Sequence, residues 1–131
     1  MVDKGEVLML KILICDDSIL MRRKLRESIE LCCNDVQILE AKDGNLAVQM
    51  YMEHRPALVF MDIVMPEKDG IQAVREIKEY DADAKVVMAS STGTQSNLRK
   101  AIEAGAYEFV QKPWEQSTIE SIISKLISER V

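Results

Sequence analysis

The sequence predicts an α/β fold in which five strands of a parallel sheet alternate with five helices. Two observations carry that expectation. Short apolar runs alternate with longer amphipathic stretches from one end of the chain to the other. The first and third runs also stop abruptly at carboxylates, Asp16 and Asp62, as buried strands do when they reach the edge of a sheet.

Residues 8–15 (LMLKILIC) form the first apolar run and end at Asp16-Asp17. Over residues 18–33 the apolar positions Met21, Leu25 and Ile29 recur every fourth residue, with Arg22, Arg23, Arg26 and Glu27 between them, which predicts an amphipathic helix. Asp17 or Ser18 can cap its start. Residues 36–40 read as a second strand, and Asp43-Gly44 turns the chain into a helix over about 45–54 that ends near Pro56. The third strand is 57–61 (ALVFM), stopping at Asp62 and followed by the loop Met65-Pro66-Glu67-Lys68-Asp69-Gly70. A helix over 71–80 carries Val74 and Ile77 on one face. Residues 85–89 (KVVMA) are the fourth strand, and the polar stretch Ser90-Ser91-Thr92-Gly93-Thr94 follows it. A helix over 95–104 ends at Gly105, a fitting C-cap. Residues 107–110 make the fifth strand, ahead of Lys112-Pro113. The last helix starts near Glu115, with Ile119, Ile122, Ile123, Leu126 and Ile127 as its stripe. Right-handed crossovers then put helices on both faces of the sheet, and function gathers at the carboxyl ends of the strands.

The chain has 131 residues, 47% hydrophobic and 30% charged, which suits one globular domain and argues against disorder. Its formal net charge of −5 offers no basic stripe for nucleic acid. No apolar run reaches membrane-spanning length, and Asp3, Lys4 and Glu6 precede the first apolar residues in an order that a secretory signal does not have. Cys15, Cys32 and Cys33 are an odd set without a CxxC pair, so reduced structural thiols in a cytoplasmic protein are expected. The scattered methionines read as packing filler.

The residues leaving the strand ends are Asp16 and Asp17, Asp62, Ser90 and Lys112. If the first and third strands are neighbours, three carboxylates converge, and their repulsion calls for a divalent cation, a lysine or protonation. Oxygen ligands of this kind suit Mg²⁺. The only histidine, His54, sits at a helix end and reads as an exposed structural residue, so the set has no good general base. It does offer a carboxylate nucleophile, a metal site and a cationic clamp, which is what phosphoryl transfer to an aspartate requires.

Taken in order, Asp16-Asp17-Ser18, Met61-Asp62-Ile63-Val64-Met65-Pro66 ending in Asp69-Gly70, Ser90, and Lys112-Pro113 resemble the full signature of bacterial response-regulator receiver domains. The likeness covers about residues 8–128. It implies the flavodoxin-like strand order 2-1-3-4-5 and a single stand-alone receiver domain over 1–131, with a short extension at about 1–7 and no output domain. It further implies that Asp62 accepts the phosphoryl group. Asp17 binds Mg²⁺ directly, Asp16 helps through water, and the Val64 carbonyl is a further ligand. Lys112 contacts the phosphoryl oxygens, Ser90 is the switch hydroxyl, Phe109 is the aromatic that rotates inward, and Lys112–Pro113 is a cis bond. Phosphorylation by a histidine kinase or histidine phosphotransfer protein then reshapes the surface of the fourth helix, fifth strand and fifth helix for an effector protein. The expected protein is a cytoplasmic signalling module, monomeric or weakly dimeric. It is not a turnover enzyme, it does not contact nucleic acid directly, and it does not insert into a membrane. Trp114 can contact a partner or pack on the last helix; the sequence leaves both open.

Two rival readings share parts of this pattern. A flavodoxin-like nucleotide binder needs Gly, Ser or Thr after the first strand, where this chain has Asp16-Asp17. A Mg²⁺-dependent aspartyl-phosphate phosphatase needs an acid two residues after the nucleophile, where this chain has Val64.

Overall fold

The computed structural model describes residues 10–91 and 95–130. Among these residues five strands and five helices alternate: β1 (Leu10–Cys15), α1 (Ile19–Cys32), β2 (Val36–Ala41), α2 (Gly44–His54), β3 (Leu58–Asp62), α3 (Gly70–Tyr80), β4 (Val86–Ser90), α4 (Gln95–Ala104), β5 (Glu108–Gln111) and α5 (Gln116–Arg130). All strand pairs are parallel and the order is β2-β1-β3-β4-β5, as the resemblance implies. The first and third strands are therefore neighbours, which brings Asp16, Asp17 and Asp62 to one edge. Leu8 and Met9 of the first apolar run, the extension at 1–7, and Thr92, Gly93 and Thr94 lie outside the described residues.

Alternation along each strand divides the interior into two cores. Leu13, Cys15, Val59, Met61, Val86 and Met88 face α2, α3 and α4, where Ala47, Val48, Val74, Ile77 and Ala101 meet them. Ile12, Ile14, Leu58, Phe60 and Val87 face Leu25 and Ile29 of α1 and Ile119, Ile123 and Leu126 of α5. Burying each such aliphatic side chain contributes roughly 1.5–3 kcal/mol, which holds the helices at fixed distance from the strand ends. Two stripe positions depart from expectation. Ile127 is exposed at the margin of the stripe, next to the fully buried Leu126, and Met21 is only half-buried because it lines a cleft instead of the core.

The third and fourth strands run one residue further than side-chain polarity suggests, into Asp62 and Ser90. Backbone pairing does not stop where the apolar side chains do: Asp62 stands opposite Ala89, Ser90 opposite Gln111, and the Ile63 amide still donates to Ala89 at 3.1 Å. The helix starts are capped by side chains. Ser18 accepts from the Met21 amide, Asp43 from Leu46, and Asp69 from Gln72. Arg55, in left-handed conformation with φ 44°, closes α2 ahead of Pro56, and Gly105 with φ 96° closes α4.

Gly70 has a steric reason for its place in the MPEKDG loop. Its amide donates to the Ile63 carbonyl at 2.7 Å, and a Cβ there would overlap the Asp62 carbonyl oxygen. The chain must cross directly over the strand end that carries Asp62, and only glycine permits it.

Candidate functional site

Three strands deliver the site. The β1 end supplies Asp16 and Asp17, β3 ends on Asp62, and the residue after β5 supplies Lys112. Carboxylate oxygens of Asp16, Asp17 and Asp62 all lie within 4.8 Å of one another. The Lys112 ammonium donates to Asp16 Oδ2 at 2.6 Å and stands 3.3 Å from Asp62 Oδ1. Its loop is tied down by the Lys112 amide, which donates to the Ser90 carbonyl at 2.8 Å; the Lys112–Pro113 bond is cis, as the resemblance implies.

The three carboxylates differ in their surroundings. Asp16 is buried and held at both oxygens: its Oδ1 accepts from the Ser18 amide at 2.9 Å, and its Oδ2 from Lys112. Asp62 is half-buried. Burial is the main cause that holds its carboxyl above the ordinary aspartate range; Lys112 pulls it down, while Asp16 and Asp17 push it up. Asp17 is exposed, and among the described residues its carboxylate has no hydrogen-bond partner. Lys112 is the sole cation among the described residues in ion-pair contact with this cluster. Three carboxylates against one ammonium leave an excess of negative charge, and the open oxygens of Asp17 and Asp62 face it. That donor set, all oxygen and doubly anionic in balance, fits a hard divalent cation such as Mg²⁺ and fits a soft metal poorly.

The site opens into a cleft of about 660 Å³, which Ser90, Val64, Met21, Pro113 and Trp114 also line. Ser90 is buried at the end of β4, at the cleft floor. Val64 is 70% exposed at its rim. Phe109 stands apart: it pairs with Met88 across β4 and β5, and its half-buried ring packs on the core that faces α2, α3 and α4. His54 lies outside the cleft, 3.8 Å from Glu53 on α2. The three cysteines are free; the Cys15 thiol is buried, and burial raises all three above the ordinary thiol range.

Trp114 packs partly buried among the α1 and α5 core residues, and its indole N–H donates to Ser28 Oγ on α1 at 3.2 Å. The Gln116 side-chain Nε2 donates to the Ser28 carbonyl at 2.9 Å, so the segment after Lys112 is tied to α1 twice. Sequence reasoning missed Ser28. It also read Arg22 and Arg26 as ordinary polar positions of a helix. Both guanidinium groups grip Glu40 of β2, at 2.7 Å each, and Arg22 Nη1 donates to the Asp16 carbonyl at 2.6 Å. The Arg26 and Arg22 hydrogen bonds hold the Glu40 carboxyl below the ordinary glutamate range. Two arginines four apart, facing a strand with a glutamate near its end, were the available signal.

Comparison with known proteins agrees with this geometry. Residues 12–124 match the response regulator receiver domain. The chain is 43% identical over 119 residues to the chemotaxis protein CheY of Halobacterium salinarum, covering 90% of this chain and 97% of that one. It is equally 43% identical to CheY of Bacillus subtilis, with 90% and 98% covered. Among solved structures, the CheX–CheY–BeF₃–Mg²⁺ complex of Borrelia burgdorferi superposes with a TM-score of 0.79 at 30% identity, over 93% of this chain and 90% of that one. The chain belongs to the response-regulator receiver domain family, the phosphoacceptor signalling modules of two-component systems. Within that family it is of the CheY type. Among the described residues no helix is long and apolar enough to cross a membrane.

Proposed function

We propose that Asp62 is the phosphoacceptor of this receiver domain and takes its phosphoryl group from a phosphohistidine on a histidine kinase or histidine phosphotransfer protein. The observation that carries this reading is the convergence of Asp16, Asp17 and Asp62 within 4.8 Å, with Lys112 bridging the first and last. An Asp62 carboxylate oxygen attacks phosphorus, the P–N bond to the donor imidazole breaks, and its electron pair returns to the imidazole nitrogen, leaving an acyl phosphate. Lys112 is already within reach of Asp62 and neutralises charge that moves onto the phosphoryl oxygens. Asp17, with its unpartnered carboxylate, and Asp62 would hold Mg²⁺ directly, the Val64 carbonyl would add a ligand, and Asp16, with both oxygens already engaged by Ser18 and Lys112, would act through water. Bound Mg²⁺ would supply charge neutralisation and an anchoring point for the transferred group.

The product phosphate draws in the Ser90 hydroxyl and the loop after it, and Phe109 repacks behind them. The new charge-assisted hydrogen bonds shift the population toward a second conformation of the α4, β5 and α5 surface. That surface, and not turnover, is the output: it engages an effector protein in the cytoplasm, with no contact to nucleic acid. Residues 1–131 act as one receiver unit, monomeric or weakly dimeric.

Acetyl phosphate with Mg²⁺, followed by intact-mass measurement, tests the assignment. The expected result is a gain of one phosphoryl group that is acid-resistant, base-labile and absent from Asp62→Asn. Phosphorylation that persists in Asp62→Asn would place the acceptor elsewhere.

A further inference from the structure

We propose that Arg22 is a positioning residue for the carboxylate cluster, and that it aims Asp17 by locking the peptide that joins Asp16 to Asp17. The inference rests on the reading of Asp16, Asp17 and Asp62 as a Mg²⁺ site and adds the device that shapes it.

The Asp16 carbonyl and the Asp17 amide belong to one planar unit, so fixing the carbonyl fixes the direction in which the Asp17 residue departs. Arg22 Nη1 donates to that carbonyl at 2.6 Å. The Asp16 amide on the other side donates to Ala41 at the end of β2, at 3.1 Å. Asp16 is thus clamped between β2 and α1. Asp17 depends on that clamp more than its neighbours do, because among the described residues nothing hydrogen-bonds its carboxylate. Its aim comes from the backbone alone.

Arg22 can serve as a clamp because its own orientation is set. Its Nε donates to Glu40 Oε1 at 2.7 Å, and the other Glu40 oxygen accepts from Arg26, so the glutamate is held from two sides. With Nε spent on Glu40 and Nη1 on the backbone, the guanidinium does not line the cleft and is not a phosphoryl contact. A planar fork reaches both acceptors at once, and the single ammonium of lysine reaches one. Arg22→Lys therefore keeps the charge and the aliphatic stem and removes only the bridging.

The test is Mg²⁺ titration of wild type, Arg22→Lys, Glu40→Gln and Asp17→Asn. It is followed by the fluorescence of the single tryptophan, Trp114, which lines the cleft, with melting temperatures measured in EDTA alongside. The expected result is Mg²⁺ affinity weakened on the order of tenfold in Arg22→Lys, as when an outer support of a metal ligand is lost. Its melting temperature in EDTA stays within about 4 °C of wild type. Glu40→Gln, which frees the anchor of Arg22, weakens Mg²⁺ in the same direction. Wild-type affinity in both variants, with Asp17→Asn still deficient, overturns the role of Arg22 and leaves the metal site standing. Affinity that falls only in proportion to a falling melting temperature overturns it too, since Arg22 is then scaffold. Failure of wild type to bind Mg²⁺, or full binding by Asp17→Asn, removes the metal site itself and the inference with it.

Discussion

Asp17 and Asp62 bring carboxylate oxygens within 4.8 Å of one another from neighbouring strand ends, and while both are ionised neither can donate to the other. At that distance two ionised carboxylates repel by about 1 kcal/mol in water and by more where solvent is partly excluded. In the absence of metal the site is therefore a local cost to the fold. Asp17→Asn is expected to stabilise the metal-free protein by about 1–2 kcal/mol and to abolish its stabilisation by Mg²⁺. Thermal denaturation in EDTA and in millimolar Mg²⁺ checks both halves. A variant less stable than wild type in EDTA would show that the carboxylates do not strain each other.

The pH dependence of that cost follows from Asp62. Burial holds its carboxyl above the ordinary aspartate range, so the fold favours the protonated form. Its stabilising contribution is complete below the ordinary aspartate pKa and is lost as pH rises through the raised folded value. At neutral pH an ionised Asp62 weighs against folding. Asp62→Asn in EDTA should thus gain most over wild type at neutral pH, and the gain should fade on acidification through the window between the two values. Urea denaturation at a series of pH values measures it. A gain that stays constant across that window would remove Asp62 as its source.

Much of this was legible beforehand because parallel strands buried on both faces are apolar throughout, and Asp16 and Asp62 interrupt that pattern where the chain leaves the sheet. The MPEKDG loop was readable as punctuation, and the structure adds the reason: Gly70 passes over the Asp62 carbonyl. The supports of the site were not legible. Arg22, Glu40 and Ser28 look like solvated polar residues until folding brings α1 beside the β2 end and beside Trp114, which are contacts between segments 18 and 86 residues apart. Periodicity says which face of α1 is buried. It does not say which polar residue at the margin finds a partner.

Gly70→Ala separates sterics from conformational freedom. At Gly105 the obstacle is the positive φ of 96°, which costs an alanine about 1 kcal/mol. At Gly70 a methyl group meets backbone that cannot yield without moving Asp62. Gly70→Ala should cost about 2–4 kcal/mol and also slow phosphorylation by acetyl phosphate, whereas Gly105→Ala should leave phosphorylation unchanged. Denaturation and phosphorylation measured together give the comparison, and equal phosphorylation of the two variants would mean that the crossing does not hold the acceptor in place.

The lifetime of the acyl phosphate should depend on Val64. Hydrolysis needs a water molecule held in line with the bond from phosphorus to the Asp62 oxygen, and Val64 stands two residues beyond Asp62 at the rim of the cleft. Its isopropyl group neither donates nor accepts, so it leaves an attacking water unoriented and shelters that side of the site. An asparagine there can hold the water through its amide. Because Val64 is 70% exposed, the substitution should cost the fold at most about 0.5 kcal/mol. Val64→Asn is therefore expected to speed loss of the phosphoryl group roughly tenfold, about 1.4 kcal/mol off the barrier. Decay of the labelled protein after removal of acetyl phosphate, at fixed Mg²⁺, measures this directly. Identical decay in wild type and variant would mean that the water is oriented from elsewhere and that the apolar side chain has no part in preserving the signal.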